Sequence, residues 1–267
     1  MKKKILSIAT AFALIIGFSC QTEDEPIAGQ KNEVSDAVLS QIRDLGFSTQ
    51  SVQKLEDGYL VEGDIVLHEH DFARGKQKTT LQVAKTEQYR TTNLVSTPRV
   101  IKISVASALG TAYIQATDEA INRYNAESLS ITFQRVSSGA DIQIVRAGFF
   151  EQFLFLASAG FPTADGRPYN QIKVSTYQMN SQPLQTKASI IAHEVGHCIG
   201  FRHTDYADRS YSCGGSPSNE GASDVGAIHV PGTPTGPDAN SWMLACIGSG
   251  QNRPFNANDQ IALDFLY

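Results

Sequence analysis

His193 and His197 lie four residues apart, with Glu194 directly after the first of them. On a helix that interval brings two imidazoles to one face, one turn apart, close enough to ligate a single ion through ring nitrogens. Glu194 is then turned about 100° from His193. From there its carboxylate can take a proton from a water beside the metal instead of ligating the metal itself. Gly200 and His203 complete the spacing HExxHxxGxxH. A glycine at that point ends the helix, because it enters the left-handed region without a Cβ penalty. The turn brings His203 back as a third nitrogen ligand. Three protein ligands leave a fourth position for water, which is the pattern of catalytic zinc and not of closed structural zinc. A bare HExxH recurs by chance on amphipathic helices, whereas the added glycine and histidine make the pattern specific.

The zinc helix needs a scaffold, and the residues before it supply one. Ile101, Ile103 and Val105 alternate with Lys102 and Ser104, which predicts a strand with one buried face. A helix is expected over 111–125, where Ile114, Ile121 and Tyr124 recur at helical spacing, and then a strand through Leu129, Ile131 and Phe133. A third strand is expected over 140–145, and Ile172 and Val174 mark a last one. Strands alternating with a helix argue for a mixed sheet with packed helices. The apolar segment 149–159 fits a strand or a helix, and 160–169, rich in Gly, Pro and Asp, must be a loop. The zinc helix follows Pro183, with Ala188, Ile191, Ala192, Val195 and Ile199 facing the core and the ligands facing the other way. A closing helix is expected from Asn258, through Ile261, Leu263, Phe265 and Leu266.

The chain has 267 residues, with 22 Lys+Arg against 27 Asp+Glu and a net charge of −5, and no basic run beyond its first residues. Nothing there suggests a nucleic-acid partner. Met1 to Lys4 followed by the apolar stretch Ile5 to Phe18 reads as a secretory signal over 1–19, too short for a membrane span. Cys20 follows that segment and precedes a polar run, which fits a bacterial lipoprotein cleavage site; the small residues Gly17 and Ser19 would also suit ordinary signal cleavage. The expected location is therefore outside the cytoplasm, at the bacterial cell envelope or secreted, with a lipid at Cys20 as the sole membrane contact. Residues 20–58 read as a polar tether with one short helix over 34–45. In an oxidising compartment Cys213 and Cys246, both in loop-rich sequence, are expected to pair, while Cys198 on the zinc helix reads as a small buried hydrophobe. His68 and His70 read as surface histidines, and Asp165-Gly166 as a plain turn, so calcium has no support beyond that one acidic turn.

The words HEVGHCIGFRHTD and the Trp242-Met243 element downstream resemble the HEIGH-type (dual-action HEIGH) metallopeptidases, a metzincin branch, over roughly residues 60 to 267. The resemblance implies an α+β fold. Its parts would be a twisted, mixed five-stranded sheet with packed helices and a loop-rich C-terminal part ending in a helix. It implies Met243 as the apolar floor beneath the zinc ligands, and the segment from Ala140 resembles the ADIxI strand of metzincins. Val61-Glu62-Gly63-Asp64 resembles the FxGD element of astacin prosegments, with Val61 in place of Phe; there the aspartate takes the zinc and blocks the water position, while a plain Gly-Asp turn fits these residues as well. The glutamate that astacins carry directly after the third histidine is absent, as is a tyrosine two places after Met243. Tyr206, Tyr211 and His229 are then candidate oxyanion donors, or simply loop residues.

The implied organisation is a signal at 1–19, a tether at 20–58, a prosegment and protease-sensitive connector at 59–98 and a catalytic domain at 99–267. The implied function is that of a monomeric zinc endopeptidase acting on protein or peptide substrates, which would lie extended along an edge strand. The alternatives are a non-catalytic metzincin-scaffold binding or adhesion lipoprotein and a zinc hydrolase of non-peptide amides. A purely structural metal site has no chemical use for Glu194, which weighs against the first of these.

Overall fold

The computed structural model describes residues 34–72, 88–221, 226–234 and 237–267. The expected signal peptide, Cys20, the first part of the tether and the middle of the connector lie outside the described residues.

A small N-terminal unit opens with helix α1 (Asp36–Asp44), capped where the Ser35 hydroxyl accepts the Val38 N–H. Strands β1 (Gln53–Lys54), β2 (Tyr59–Val61) and β3 (Ile65–Leu67) follow as an antiparallel sheet. Ile42, Leu45 and Phe47 pack with Tyr59, Val61, Ile65 and Leu67 into one apolar cluster. The expected short helix is there, but a tether ending at 58 is corrected. β1 pairs with β2 through Gln53↔Leu60 and Lys54↔Tyr59, so that boundary cuts a hairpin. Burial of α1 against β2 and β3 decides this, and the polar look of 34–58 concealed it.

Strand β4 (Tyr89–Arg90) then leads into β5 (Arg99–Val105), helix α2 (Thr111–Ala126), β6 (Ile131–Arg135), β7 (Ile142–Arg146), β8 (Ala157–Ser158) and β9 (Gln171–Val174). Short helix α3 (Thr176–Met179), helix α4 (Leu184–Ile199), short helix α5 (Ser210–Cys213), strand β10 (Ile228–His229) and helix α6 (Ala257–Leu266) complete the order. The main sheet has five strands in the order β6-β5-β7-β9-β8, all parallel except the edge strand β8. The expected α+β fold with a mixed five-stranded sheet is what the chain adopts.

The alternating strands behave as read: Ile101 and Ile103 of β5 are buried, as are Ile131, Phe133, Ile142, Ile144, Ile172 and Val174 on the neighbouring strands. α2 packs against α4 and against β5 and β6, with Tyr113, Ala116, Ala120, Ile121 and Tyr124 buried and the Tyr124 hydroxyl donating to the Ala192 carbonyl at 2.8 Å. Segment 149–159 is neither one strand nor one helix: a 3₁₀ turn at Glu151–Phe153 precedes the two-residue β8.

Two further boundaries move. Residues 88–90 already pack with the unit expected to begin at 99: β4 pairs with β10, and Gln88 Nε2 donates to Asp259 Oδ1 at 2.6 Å and to Ser241 Oγ at 3.2 Å. The closing helix starts earlier than Asn258: Asn256 is its cap, with Oδ1 accepting the N–H of Asn258 and Asp259, and the Asp259 carboxylate accepting the Asn256 N–H in return.

Candidate metal centre

Leu184 to Gln185 apart, α4 is a buried helix. Every residue from Thr186 to Ile199 is shielded, so the ligand face is covered as well as the core face. The residue between the two ligands' turns explains part of the motif. A Cβ on Gly196 would come within 2.5 Å of Met243 Sδ and 3.2 Å of Trp242 Nε1, so glycine there lets the Met243 turn press against the helix. Gly200 ends α4 at φ 110°, and a side chain there would meet Leu94 Cδ2 at 2.8 Å and the Asn93 carbonyl oxygen at 2.9 Å. The reversal is tied by the Phe201 N–H donating to the Gly196 carbonyl, and it returns His203 to the helix.

Three imidazoles converge. His197 Nε2 lies 3.0 Å from His193 Nε2 and 3.2 Å from His203 Nε2. Asp64, from the turn between β2 and β3, adds Oδ2 at 3.0 Å from His203 Nε2 and 3.6 Å from His193 Nε2. The other ring nitrogens decide what these atoms are. His193 Nδ1 donates to the Trp242 carbonyl at 2.9 Å, and His197 Nδ1 to the Phe201 carbonyl at 2.8 Å. His203 Nδ1 donates to Glu220 Oε1 at 2.7 Å. Carbonyl and carboxylate oxygens only accept, so each Nδ1 carries the hydrogen and each Nε2 presents a lone pair. With the rings neutral, four acceptor atoms face one another at a buried point, a repulsive arrangement that a cation converts into a favourable one.

The donor set fits zinc. Nitrogen ligands at about 2.0–2.1 Å in a tetrahedron stand about 3.3 Å apart, close to the spacings found here. Three neutral imidazoles and one carboxylate are ligands zinc accepts, and each imidazole has the outer-shell acceptor that fixes its tautomer. Asp64 Oδ1 is buried without a hydrogen-bond partner among the described residues, as is Glu194 Oε2.

Electrostatics support the same division of roles. Burial resists a charge on Asp64, but His203 and then His193 hold its carboxyl well below the ordinary range. Burial, and then the Asp64 carboxylate, push Glu194 well above it. His197 is pulled well below its ordinary value by burial and by His193 and His203. For His203 burial acts downward, yet Asp64 and Glu220 raise it well above that value.

A buried charge network lies behind His203. Arg202 and Glu62 are each about fully buried and meet at 2.8 Å; Arg202 also stands 3.6 Å from Glu220 Oε2. Arg209 Nε lies 3.0 Å from Glu220 Oε1, without the alignment of a hydrogen bond. Glu62 takes a left-handed φ of 54°, ahead of Gly63 at 89°, and this turn places its carboxylate on Arg202 and that of Asp64 at the histidines. Glu62, Glu220, Arg202 and Arg209 are the functional residues that sequence reasoning missed. The signal for Glu62 and Arg202 was their adjacency to Asp64 and His203; Glu220, 17 residues beyond His203 in a loop, gave none.

Other candidates go elsewhere. Tyr206 is buried against Tyr89, with ring centroids 4.3 Å apart. The Tyr211 hydroxyl bonds the Pro237 carbonyl, and His229 bonds Thr233. None of the three lines the cleft beside His193. Asp165 is engaged by Thr163 and Arg167, so its carboxylate is used within its own turn. His68 bonds the Tyr169 hydroxyl and the Asp57 carbonyl, and His70 is exposed. Cys198 is a buried free thiol, whereas Cys213 and Cys246 form a disulfide that joins α5 to the loop after Met243.

The cleft has a volume of about 310 Å³ and is bordered by Asp64, His193, Glu194, Leu156, Ala157 and Arg209 among others. Its edge strand does not stand free: Ala159 N–H donates to the Asp64 carbonyl at 2.9 Å and Val66 N–H to the Ala159 carbonyl at 2.8 Å, so β3 runs along it.

A family model described as dual-action HEIGH metallo-peptidase matches residues 60–267. Among solved structures the chain is similar to a crystal structure of myroilysin, at 16% identity and a TM-score of 0.39, over 68% of this chain and 90% of that one. It is also similar to high choriolytic enzyme 1, a hatching-enzyme zinc-protease from medaka fish (Oryzias latipes), at 16% identity and a TM-score of 0.35, over 71% of this chain and 98% of that one. No curated protein matches the chain.

Proposed function

The chain belongs to the dual-action HEIGH metallo-peptidases and is a zinc metallopeptidase, and from that premise we propose that it is the latched precursor of an exported endopeptidase. The observation that carries this reading is the meeting of three imidazole Nε2 atoms with a carboxylate oxygen from the distant β2–β3 turn at one buried point. Zinc held there by His193, His197 and His203 would supply Lewis acidity, bringing the pKa of a water toward about 7 and polarising the scissile carbonyl.

The chain's own residues do the rest. Glu194, kept basic by its buried setting, accepts the proton of the attacking water on a carboxylate oxygen and then delivers it to the nitrogen of the leaving amine. Trp242, Phe201 and Glu220 hold the three rings in the tautomer that ligates. Met243 underlies the helix at Gly196. Arg209, which lines the cleft, is the cation this reading assigns to the developing oxyanion.

In the precursor Asp64 Oδ2 takes the position a water needs, and residues 64–66 take the edge strand a substrate needs. Cleavage in the connector, whose sequence offers Arg74, Lys76, Lys78 and Lys85, would release both. Export rests on the N-terminal signal and a lipid at Cys20 on its position after it. The enzyme is read as a monomer acting on polypeptides.

The test is zinc content and casein cleavage by the full chain before and after limited trypsin treatment, with and without a chelator. Zinc-dependent cleavage that appears only after nicking supports the latched peptidase. In the nicked Glu194→Ala variant, zinc should stay near one equivalent while kcat falls by about 10²–10⁴. An intact Asp64→Ala precursor no more active than intact wild type would sink the latch.

A further inference from the structure

Soluble proteins bury apolar side chains and expose polar ones, but the turn before β8 does the reverse. Phe149, Phe150, Phe153 and, from α3, Tyr177 expose 72%, 79%, 54% and 69% of their surfaces, while Glu151 and Gln152 between them expose 8% and 5%. The buried polar pair fastens the turn. Glu151 accepts the Gly148 N–H at 2.8 Å and pairs with Lys173 at 3.0 Å. Gln152 Oε1 accepts from the Thr176 hydroxyl at 2.6 Å, and its carbonyl accepts from the Ser175 hydroxyl at 2.7 Å. Polar bonds inward therefore hold a rigid face of rings outward. The rings contact one another, Phe149 with Phe150 at 5.2 Å between centroids, Phe149 with Phe153 at 6.0 Å and Phe153 with Tyr177 at 4.9 Å.

A contiguous exposed aromatic face, unlike a scattered apolar residue, marks a binding surface, and a pre-assembled one loses little side-chain freedom on binding. Its place in the fold names the occupant. The residues directly after the platform, Leu154 to Ala157, line the cleft with His193 and Glu194, and Gln178, next to Tyr177, lines it too. A polypeptide that lies in the cleft reaches the platform without leaving the protein surface. An anionic bilayer is disfavoured by the net charge of −5 and by the engagement of Lys173 with Asp57 and Glu151.

We propose that Phe149, Phe150, Phe153 and Tyr177 form an exosite that holds an apolar, aromatic-rich stretch of the polypeptide substrate beside the cleft. The inference rests on the peptidase reading of the cleft and adds a substrate class to it: chains that expose Phe and Leu, such as unfolded proteins, are captured in preference to polar ones.

The experiment measures binding without hydrolysis. Fluorescence anisotropy follows a labelled peptide rich in Phe and Leu, and a control with Ser at those positions, on the full chain carrying Glu194→Ala. The same titrations use that chain with Phe149→Ser, Phe150→Ser and Phe153→Ser added. The apolar peptide should bind at least about tenfold tighter than the control, and the added changes should remove that advantage. Phe150→Ser alone, at the most exposed ring, serves if the combined variant unfolds, and should weaken binding in the same direction. Equal binding of both peptides, or equal binding by both chains, overturns the proposal. So does loss of co-sedimentation with phosphatidylcholine vesicles in the variant while peptide binding persists, which would make the face a membrane contact. Casein cleavage by the nicked wild type is read separately, so a failure of the peptidase reading shows there and not in the binding data.

Discussion

Glu220→Gln should weaken zinc binding while leaving the zinc ligands in place. Glu220 is fully buried, and its Oε1 takes the Nδ1 hydrogen of His203 at 2.7 Å. Burial works against its ionisation, but His203, then Arg202 and Arg209, hold its carboxyl below the ordinary value. A carboxylate there therefore fixes the His203 tautomer and makes the ring a stronger donor to the metal. Glutamine keeps the shape and one acceptor oxygen, so the bond to Nδ1 survives as a neutral one, roughly half as strong as its charge-assisted counterpart. The new amide hydrogens face Arg202, 3.6 Å from the present Oε2. Mutation of such partners weakens metal affinity by about 10–100-fold, and the surviving neutral bond puts Glu220→Gln at the lower end, about 10-fold or about 1.4 kcal/mol. Because Arg202 keeps Glu62 at 2.8 Å, the intact chain should fold normally, so the loss will be read on a folded protein. Competition with a fluorescent zinc chelator near neutral pH, on wild type and variant of matched melting temperature, gives the two Kd values. An unchanged Kd in the variant would refute the reasoning that His203 is tuned through Glu220.

Two other perturbations probe the surroundings of the site. In Glu62→Gln the buried Arg202 loses its full-charge partner, worth about 3 kcal/mol or more, softened by Glu220 close by; if Asp64 inhibits as proposed, the intact chain should gain casein-cleaving activity by about one to two powers of ten over wild type, and an equally silent chain would show that Glu62 does not hold Asp64 in place. Asp259 carries the pH prediction. Burial, opposed by the N–H groups of Asn256 and Trp242, raises its pKa to about 6 from the ordinary 3.8. The folded state then binds its proton more tightly than the unfolded state, so Asp259 stabilises most at low pH and loses that contribution as pH rises from about 4 to about 6, roughly 3 kcal/mol in all. Measured by urea unfolding in chelator, the deficit of Asp259→Asn relative to wild type should shrink across that window, and a pH-independent deficit would contradict it.

The parts of the fold that were legible in the sequence were those whose signal is local. Alternation at Ile101 and Ile103 requires only a two-residue period, and the α2 pattern only a helical one, so both elements stand where they were expected. Pro183 and Gly200 bracket α4 because each restricts or frees its own backbone. Segment 149–159 could not be resolved, since its polar residues point inward and its aromatics outward, which inverts the rule used to read it. The bonds of Gln88 and Asn256 moved two boundaries, because a cap or an anchor is recognised by its partner and not by its own type.

The sequence by itself determined the chemistry of the centre. The interval between His193 and His197 is one helical turn, the turn at Gly200 returns His203, and Glu194 is bound to follow His193 whatever surrounds them. It also supplied Met243 and the family to which those words belong. For Asp64 the sequence left two readings, a zinc-facing carboxylate or a plain turn, and the tertiary structure brings it to the histidines. Asp64 stands 139 residues before His203 and reaches it only because β3 adds to the sheet edge at Ala159. Glu220 becomes a partner of His203, and Glu62 of Arg202, through loops that carry no periodic signal. Local spacing fixes which atoms of one helix can share a metal, because the helix itself sets the distances; contacts between distant segments depend on how buried surfaces pack, which no short stretch of the chain encodes.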